Sequence, residues 1–155
     1  MKVSTARRKT GSWWGRHGIL YSAAIALIGF ETAIWLWWAA MDIGVRLGVW
    51  AREGAGMDAY AFIASLHWTQ EVFFFSGLVL ILLTMFLLLM RSRFALVSYL
   101  GAFAADKVDW FLANENPYYQ VLLTGQAPVS SYVTLFGQIL SIGLVGWLAA
   151  RGALK

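Results

Sequence analysis

VFFFSGLVLILLTMFLLLM, residues 72–90, runs for nineteen positions without a charge and is followed at once by Arg91 and Arg93. As an α-helix rising about 1.5 Å per residue it covers roughly 28 Å, close to the thickness of a bilayer's hydrocarbon core. The stretch reads as a membrane span. The arginines at its end assign that end to the cytoplasm, because positive charge collects in cytoplasmic loops.

Composition agrees. A chain of 155 residues that is 60% hydrophobic and only 13% charged is too apolar for a water-soluble globule of its size. It contains no cysteine, which removes disulfides, thiolate metal sites and cysteine nucleophiles from its own repertoire. The net charge of +4 does not point to nucleic acid, because the basic residues sit at span ends and in the N-terminal tail instead of forming a stripe with interleaved aromatics. They read as topology signals and contacts to anionic lipid. Nine tryptophans suit a protein with two headgroup layers to occupy.

Upstream of residues 72–90 the chain can be helical from Ala59, with Asp58 as its N-cap. That helix would be about 48 Å long, so its outer turns must project, tilt, or bend near Ser76 and Gly77. Before it, Asp42 to Met57 places Ile43, Leu47 and Trp50 on one face, which predicts a short helix lying at the outer interface. Residues 18–41 form a first span, apolar except for Glu31, with Trp35, Trp37 and Trp38 at its outer end. A basic start and an apolar run also resemble a signal peptide, but the run is long and holds an acid and three tryptophans, which favours a retained span. Residues 1–17, with Lys2, Arg7, Arg8, Lys9 and Arg16, form a basic cytoplasmic tail.

Downstream, residues 94–113 are interrupted by Asp106, Lys107 and Asp109, yet the positive-charge balance favours a crossing there. Pro117, Tyr118, Tyr119, Gly125 and Pro128 mark an outer loop over 114–130. Residues 131–150 return inward to Arg151, with a polar stripe of Ser131, Thr134, Gln138 and Ser141 and a close-packing edge at Gly137 and Ser141. The expected architecture is an all-α integral membrane protein. It has four transmembrane helices in an antiparallel bundle (about 18–41, 67–90, 94–113 and 131–150) and a short outer interfacial helix. Residues 18–150 form a single membrane domain, residues 151–155 a cytoplasmic tail, and both termini lie on the cytoplasmic side of a cell inner (plasma) membrane.

Ionisable groups inside spans cost at least about 2.5–3.5 kcal/mol each on insertion scales, so they face a bundle interior and find partners. Five stand out: Glu31, His67, Glu71, Asp106 and Asp109. Counting from the cytoplasmic boundary puts Glu31, Asp106 and Asp109 at a shared depth of roughly 20–24 Å, with Glu71 and His67 nearer the outer surface. They predict an acid-lined cleft open outward, with Gln138 facing it, as a candidate site for a small ligand or ion. His67 and Glu71, four apart, form the only local pattern suited to a metal, and a weak one, since a single histidine is a poor start for zinc or copper. No phosphate loop, serine elbow or dinucleotide fingerprint occurs, and no cofactor is implied.

Three function classes follow. The first is a non-catalytic subunit or assembly partner of a larger membrane complex, with protein partners in the bilayer and buried acids serving helix contacts. The second binds or transports a proton, cation or amphipathic ligand through the cleft. The third is a small membrane enzyme using His67 and Glu71 for acid–base or metal chemistry.

Overall fold

The computed structural model describes residues 13–49, 53–54, 57–58, 63–116, 118 and 127–155. Four long helices organise them: α1 (Trp13–Arg46), α2 (Trp68–Leu89), α3 (Phe94–Asn114) and α4 (Ala127–Ala150). Three helical stretches are long and apolar enough to cross a bilayer, Gly18–Arg46, Trp68–Leu89 and Tyr132–Ala150, which makes this a multi-pass membrane protein. The fourth helix, α3, is 21 residues long and carries Asp106, Lys107 and Asp109.

Each helix ends for a local reason. In α1, Gly48 takes the left-handed conformation at φ 69°, letting Gly48 N–H reach Val45 O and Val49 N–H reach Gly44 O, a Schellman closure. Helix α4 closes the same way at Gly152, φ 68°. Helix α2 closes at Arg91, a non-glycine residue held at φ 56°, where a side chain costs about 1–2 kcal/mol. Backbone bonds hold it there: Lys155 N–H donates to Arg91 O at 2.7 Å and Arg93 N–H to Lys155 O at 2.8 Å. Tyr21 OH on α1 also donates to Leu88 O at 2.7 Å, so the start of α1, the α2–α3 turn and the end of α4 meet in one layer. At the opposite end Arg46 of α1 grips Glu71 of α2 at 2.6 Å, and Asn116 after α3 donates to Ser65 Oγ at 2.9 Å.

The burial pattern is inverted relative to a soluble protein. Thr84, Ser141 and Gln138 are 0–2% exposed, whereas Phe30, Val97 and Phe136 are 65–70% exposed. Large apolar side chains point outward on every helix because lipid solvates them. Polar groups turn inward because lipid offers them no hydrogen bonds. The tightest packing joins α2 to α3 through small residues. Ala95, Ala102 and Ala105 are buried, and Ser98 Oγ donates to Leu80 O at 2.9 Å. Helix α1 closes on α2 where the Trp35 ring lies on Gly77 and stacks on Phe74, centroids 5.2 Å apart.

Several expectations are corrected. Asp42 to Arg46 do not begin a separate interfacial helix; α1 continues through Arg46, since nothing between Met41 and Arg46 breaks the hydrogen-bond ladder. Asp58 pairs in a two-residue antiparallel bridge, Glu53–Gly54 with Met57–Asp58, and is not the cap of the spanning helix α2. Helix α2 begins at Trp68, because His67 is extended (φ −76°, ψ 144°) and caps it, so no bend at Ser76–Gly77 is needed. The last helix starts at Ala127 with Pro128 in its first turn, where a missing N–H costs nothing. Trp13 to His17 are already helical. Gly137 is no packing edge: a Cβ there would meet nothing within 4 Å. The basic tail up to Lys9, Trp50, most of the 114–130 loop and the Ser131 side chain lie outside the described residues.

Candidate functional site

The site grows from one amide. Gln138 lies on α4 thirteen residues before Arg151, and Asp106 lies on α3 thirteen residues after Arg93. At 1.5 Å per residue both stand about 20 Å from the basic layer, so they meet at one level. Gln138 Nε2 donates to Asp106 Oδ2 at 3.0 Å and to Glu31 Oε1 on α1, also at 3.0 Å. The other Glu31 oxygen, Oε2, accepts from Tyr99 OH of α3 at 2.6 Å, and Ser141, one turn beyond Gln138, bonds the phenol in turn. Lys107 Nζ sits on Asp106 Oδ2 at 2.8 Å and over the Phe103 ring at 5.3 Å. Three helices are thus joined by one chain of hydrogen bonds, Ser141 to Tyr99 to Glu31 to Gln138 to Asp106 to Lys107.

Burial makes this chain electrostatically demanding. Tyr99 is 1% exposed and Gln138 2%, while Glu31, Asp106 and Lys107 are half-buried. Gln138 Oε1 is buried and has no hydrogen-bond partner among the described residues. An acceptor left so costs about 1–3 kcal/mol. Asp109 shares the inner face of α3 with Asp106 but turns towards α2, where Gln70 lies beside its carboxylate. If every group is ionised, Glu31, Asp106 and Asp109 face the single ammonium of Lys107, leaving two uncompensated negative charges among the described residues.

The sequence-derived candidates therefore divide. Glu31, Asp106 and Gln138 converge directly, and Asp109 stands one turn away. Glu71 does not join them; it binds Arg46, which Asp42 also holds at 2.8 Å. The His67 ring faces back to Thr69, with Nδ1 2.7 Å from Thr69 Oγ1 and 3.3 Å from its N. His67 precedes the helix as its cap instead of lying within it, and its carbonyl accepts from Glu71 N–H at 3.2 Å. No group of three or more His, Asp or Glu side chains able to hold a metal occurs among the described residues.

Two participants were not among the sequence-derived candidates. Tyr99 sits seven residues before Asp106, and a phenol two helical turns from a buried acid on one face was the available signal. Gln70 gave none, since a glutamine at the start of a helix is ordinary. Gln70 also lines an open cleft of about 460 Å³ with Ser65, His67, Thr69, Leu112, Glu115 and Asn116, between the start of α2 and the end of α3.

Comparison with family models, with curated proteins and with solved structures finds no match to this chain.

Proposed function

We propose that the protein spans a cell inner (plasma) membrane four times as an antiparallel bundle, and that Glu31 within it takes up and releases a proton. The contacts support this topology. The start of α1, the α2–α3 turn and the end of α4 share a layer with Arg91, Arg93, Arg151 and Lys155, which the positive-inside rule assigns to the cytoplasm together with both termini. Helix α3 crosses with the others because Phe94, Val97, Leu100, Trp110 and Phe111 face outward along its length.

The observation that carries the proton reading is the Gln138 amide, whose nitrogen serves two carboxylates while its oxygen serves none. With both acids ionised, one N–H goes to each and Oε1 is orphaned. Lys107 compensates Asp106, so of the two acids on the amide it is Glu31 that takes a proton. Protonated at Oε1, Glu31 becomes a donor, and a half-turn of the amide presents Gln138 Oε1 to it while turning Nε2 away from both carboxylates. Tyr99 keeps its bond to Glu31 Oε2, and Asp106 keeps Lys107. The protonated state thus exchanges the amide's two bonds to carboxylates for one from the acid, and removes a negative charge from a low-dielectric seam.

Infrared difference spectroscopy on the protein in lipid tests this. A titrating carboxylic-acid carbonyl band is expected in the wild type and in Asp106→Asn, and is lost in Glu31→Gln. In proteoliposomes an imposed pH gradient should decay faster with the wild type than with Glu31→Gln. An unaltered band in Glu31→Gln overturns the reading.

A second reading, a subunit or assembly partner of a membrane complex, is favoured by α4. Gly137, Gly143 and Gly146 have open space where a Cβ would stand, beside exposed Tyr132, Phe136 and Leu140. A photo-crosslinker at position 136 in native membranes should then yield one discrete protein adduct; adducts to lipid alone would refute it.

A further inference from the structure

We propose that the cleft at the outer end of α2 and α3 is the port through which the buried seam exchanges protons with water, and that Gln70 and Asp109 are its inner relay. This rests on the reading of Glu31 as the proton-binding group. The cleft has room for several water molecules, each of about 30 Å³ in the liquid, and hydroxyl, amide, imidazole and carboxylate groups share its walls with Leu112 and Tyr118. At its floor Gln70 is 6% exposed, yet it both lines the cleft and lies beside the Asp109 carboxylate. One side chain therefore adjoins both the open cleft and the half-buried Asp109.

From Asp109 the path continues along α3. Asp106 is three residues back, and side chains three apart on a helix are neighbours with Cβ atoms about 5–6 Å apart. Asp106 Oδ2 then meets the same Gln138 nitrogen as Glu31 Oε1, 3.0 Å from each. A proton entering from cleft water binds the Asp109 carboxylate, passes to Asp106 as Asp109 returns to its ionised form, and passes to Glu31 as Asp106 re-forms its pair with Lys107. Each transfer moves one proton and leaves the donor acid ionised.

The charged groups around the relay come from three helices. Lys107 of α3 is paired with Asp106 at 2.8 Å, Glu31 on α1 is the terminal acceptor, and α2 offers Asp109 the neutral Gln70. The nearby cation of α1, Arg46, is engaged by Asp42 and Glu71. A metal ion would be poorly served on this route, because the group facing both acids is an amide N–H donor.

Hydrogen–deuterium exchange of the Glu31 carbonyl band, followed by infrared spectroscopy after a switch to heavy water, tests the port. Asp109→Asn should slow exchange at least tenfold while leaving the equilibrium amplitude of the band unchanged, a split that a merely structural role would not produce. The chain has no cysteine, so Leu112→Cys in the cleft wall adds a second readout. Its modification by a membrane-impermeant thiol reagent should slow exchange, whereas modification of Val49→Cys, exposed just beyond the outer end of α1, should not. If the wild type shows no Glu31 band, the proton reading falls and the port with it. If the band is present but its exchange rate is indifferent to both Asp109→Asn and the modified Leu112→Cys, the port is wrong and the proton site stands.

Discussion

Alanine at position 77 should loosen the bundle, although alanine favours a helix more than glycine does. A Cβ built on Gly77 lies 2.5 Å from Trp35 Cη2, 2.9 Å from Cζ3 and 3.4 Å from Cζ2. Carbon atoms in contact prefer about 3.5–4.0 Å, so the indole or the helix must move by about an ångström. The indole is 6% exposed and stacked face to face on Phe74 with planes 19° apart, which leaves it little room to slide. Overpacking of this kind costs about 1–3 kcal/mol, against a helix-propensity gain of about 1 kcal/mol. Gly137→Ala gains the propensity and meets nothing within 4 Å. Gly101→Ala falls between, because its 3.2 Å neighbour is a mobile Leu80 methyl. Gly77→Ala should therefore be less stable than Gly137→Ala by about 1–3 kcal/mol. Reversible unfolding from mild detergent into SDS, followed by tryptophan fluorescence, measures the series. Equal or greater stability of Gly77→Ala would refute the claim that Trp35 seats on a bare backbone. Trp35 lies one turn from Glu31, so the same variant should also shift the Glu31 infrared band.

Tyr99→Phe removes the phenol that donates to Glu31 Oε2. Polar pairs in membrane helices average about 0.6 and reach about 1.7 kcal/mol, so a stability loss in that range is expected in the same unfolding assay, together with a displaced Glu31 carbonyl band. Tyr21→Phe should cost about 0.5 kcal/mol, the low end for a hydrogen bond, because Leu88 O still accepts from Arg91 N–H at 2.8 Å. Arg46→Gln should lower stability by no more than about 1 kcal/mol, and the loss should shrink in high salt, since Arg46 is 41% exposed where it joins Asp42 and Glu71.

Membrane embedding was legible in the sequence because it depends on sums: an uncharged run longer than a bilayer is thick, a charged fraction too small for a soluble surface, and arginines at a span end. The shared depth of Glu31 and Asp106 was legible for the same reason, since rise per residue is constant along a helix. Helix boundaries were less so. The outer interfacial helix and the Asp58 cap were inferred from local pattern, but continuation of a hydrogen-bonded ladder carried α1 through Arg46, and His67 took the capping role instead.

Partner choice was the part that only packing could decide. Counting along helices says which residues stand level, not which way each helix is turned about its own axis. That rotation gives Gln138 to both Glu31 and Asp106, sends Asp109 to Gln70, and leaves Glu71 with Arg46. It follows from where small residues let helices approach, at Gly77 beneath Trp35 and along Ala95, Ala102 and Ala105. Those are contacts between distant parts of the chain, and a linear pattern of hydrophobicity carries no record of them.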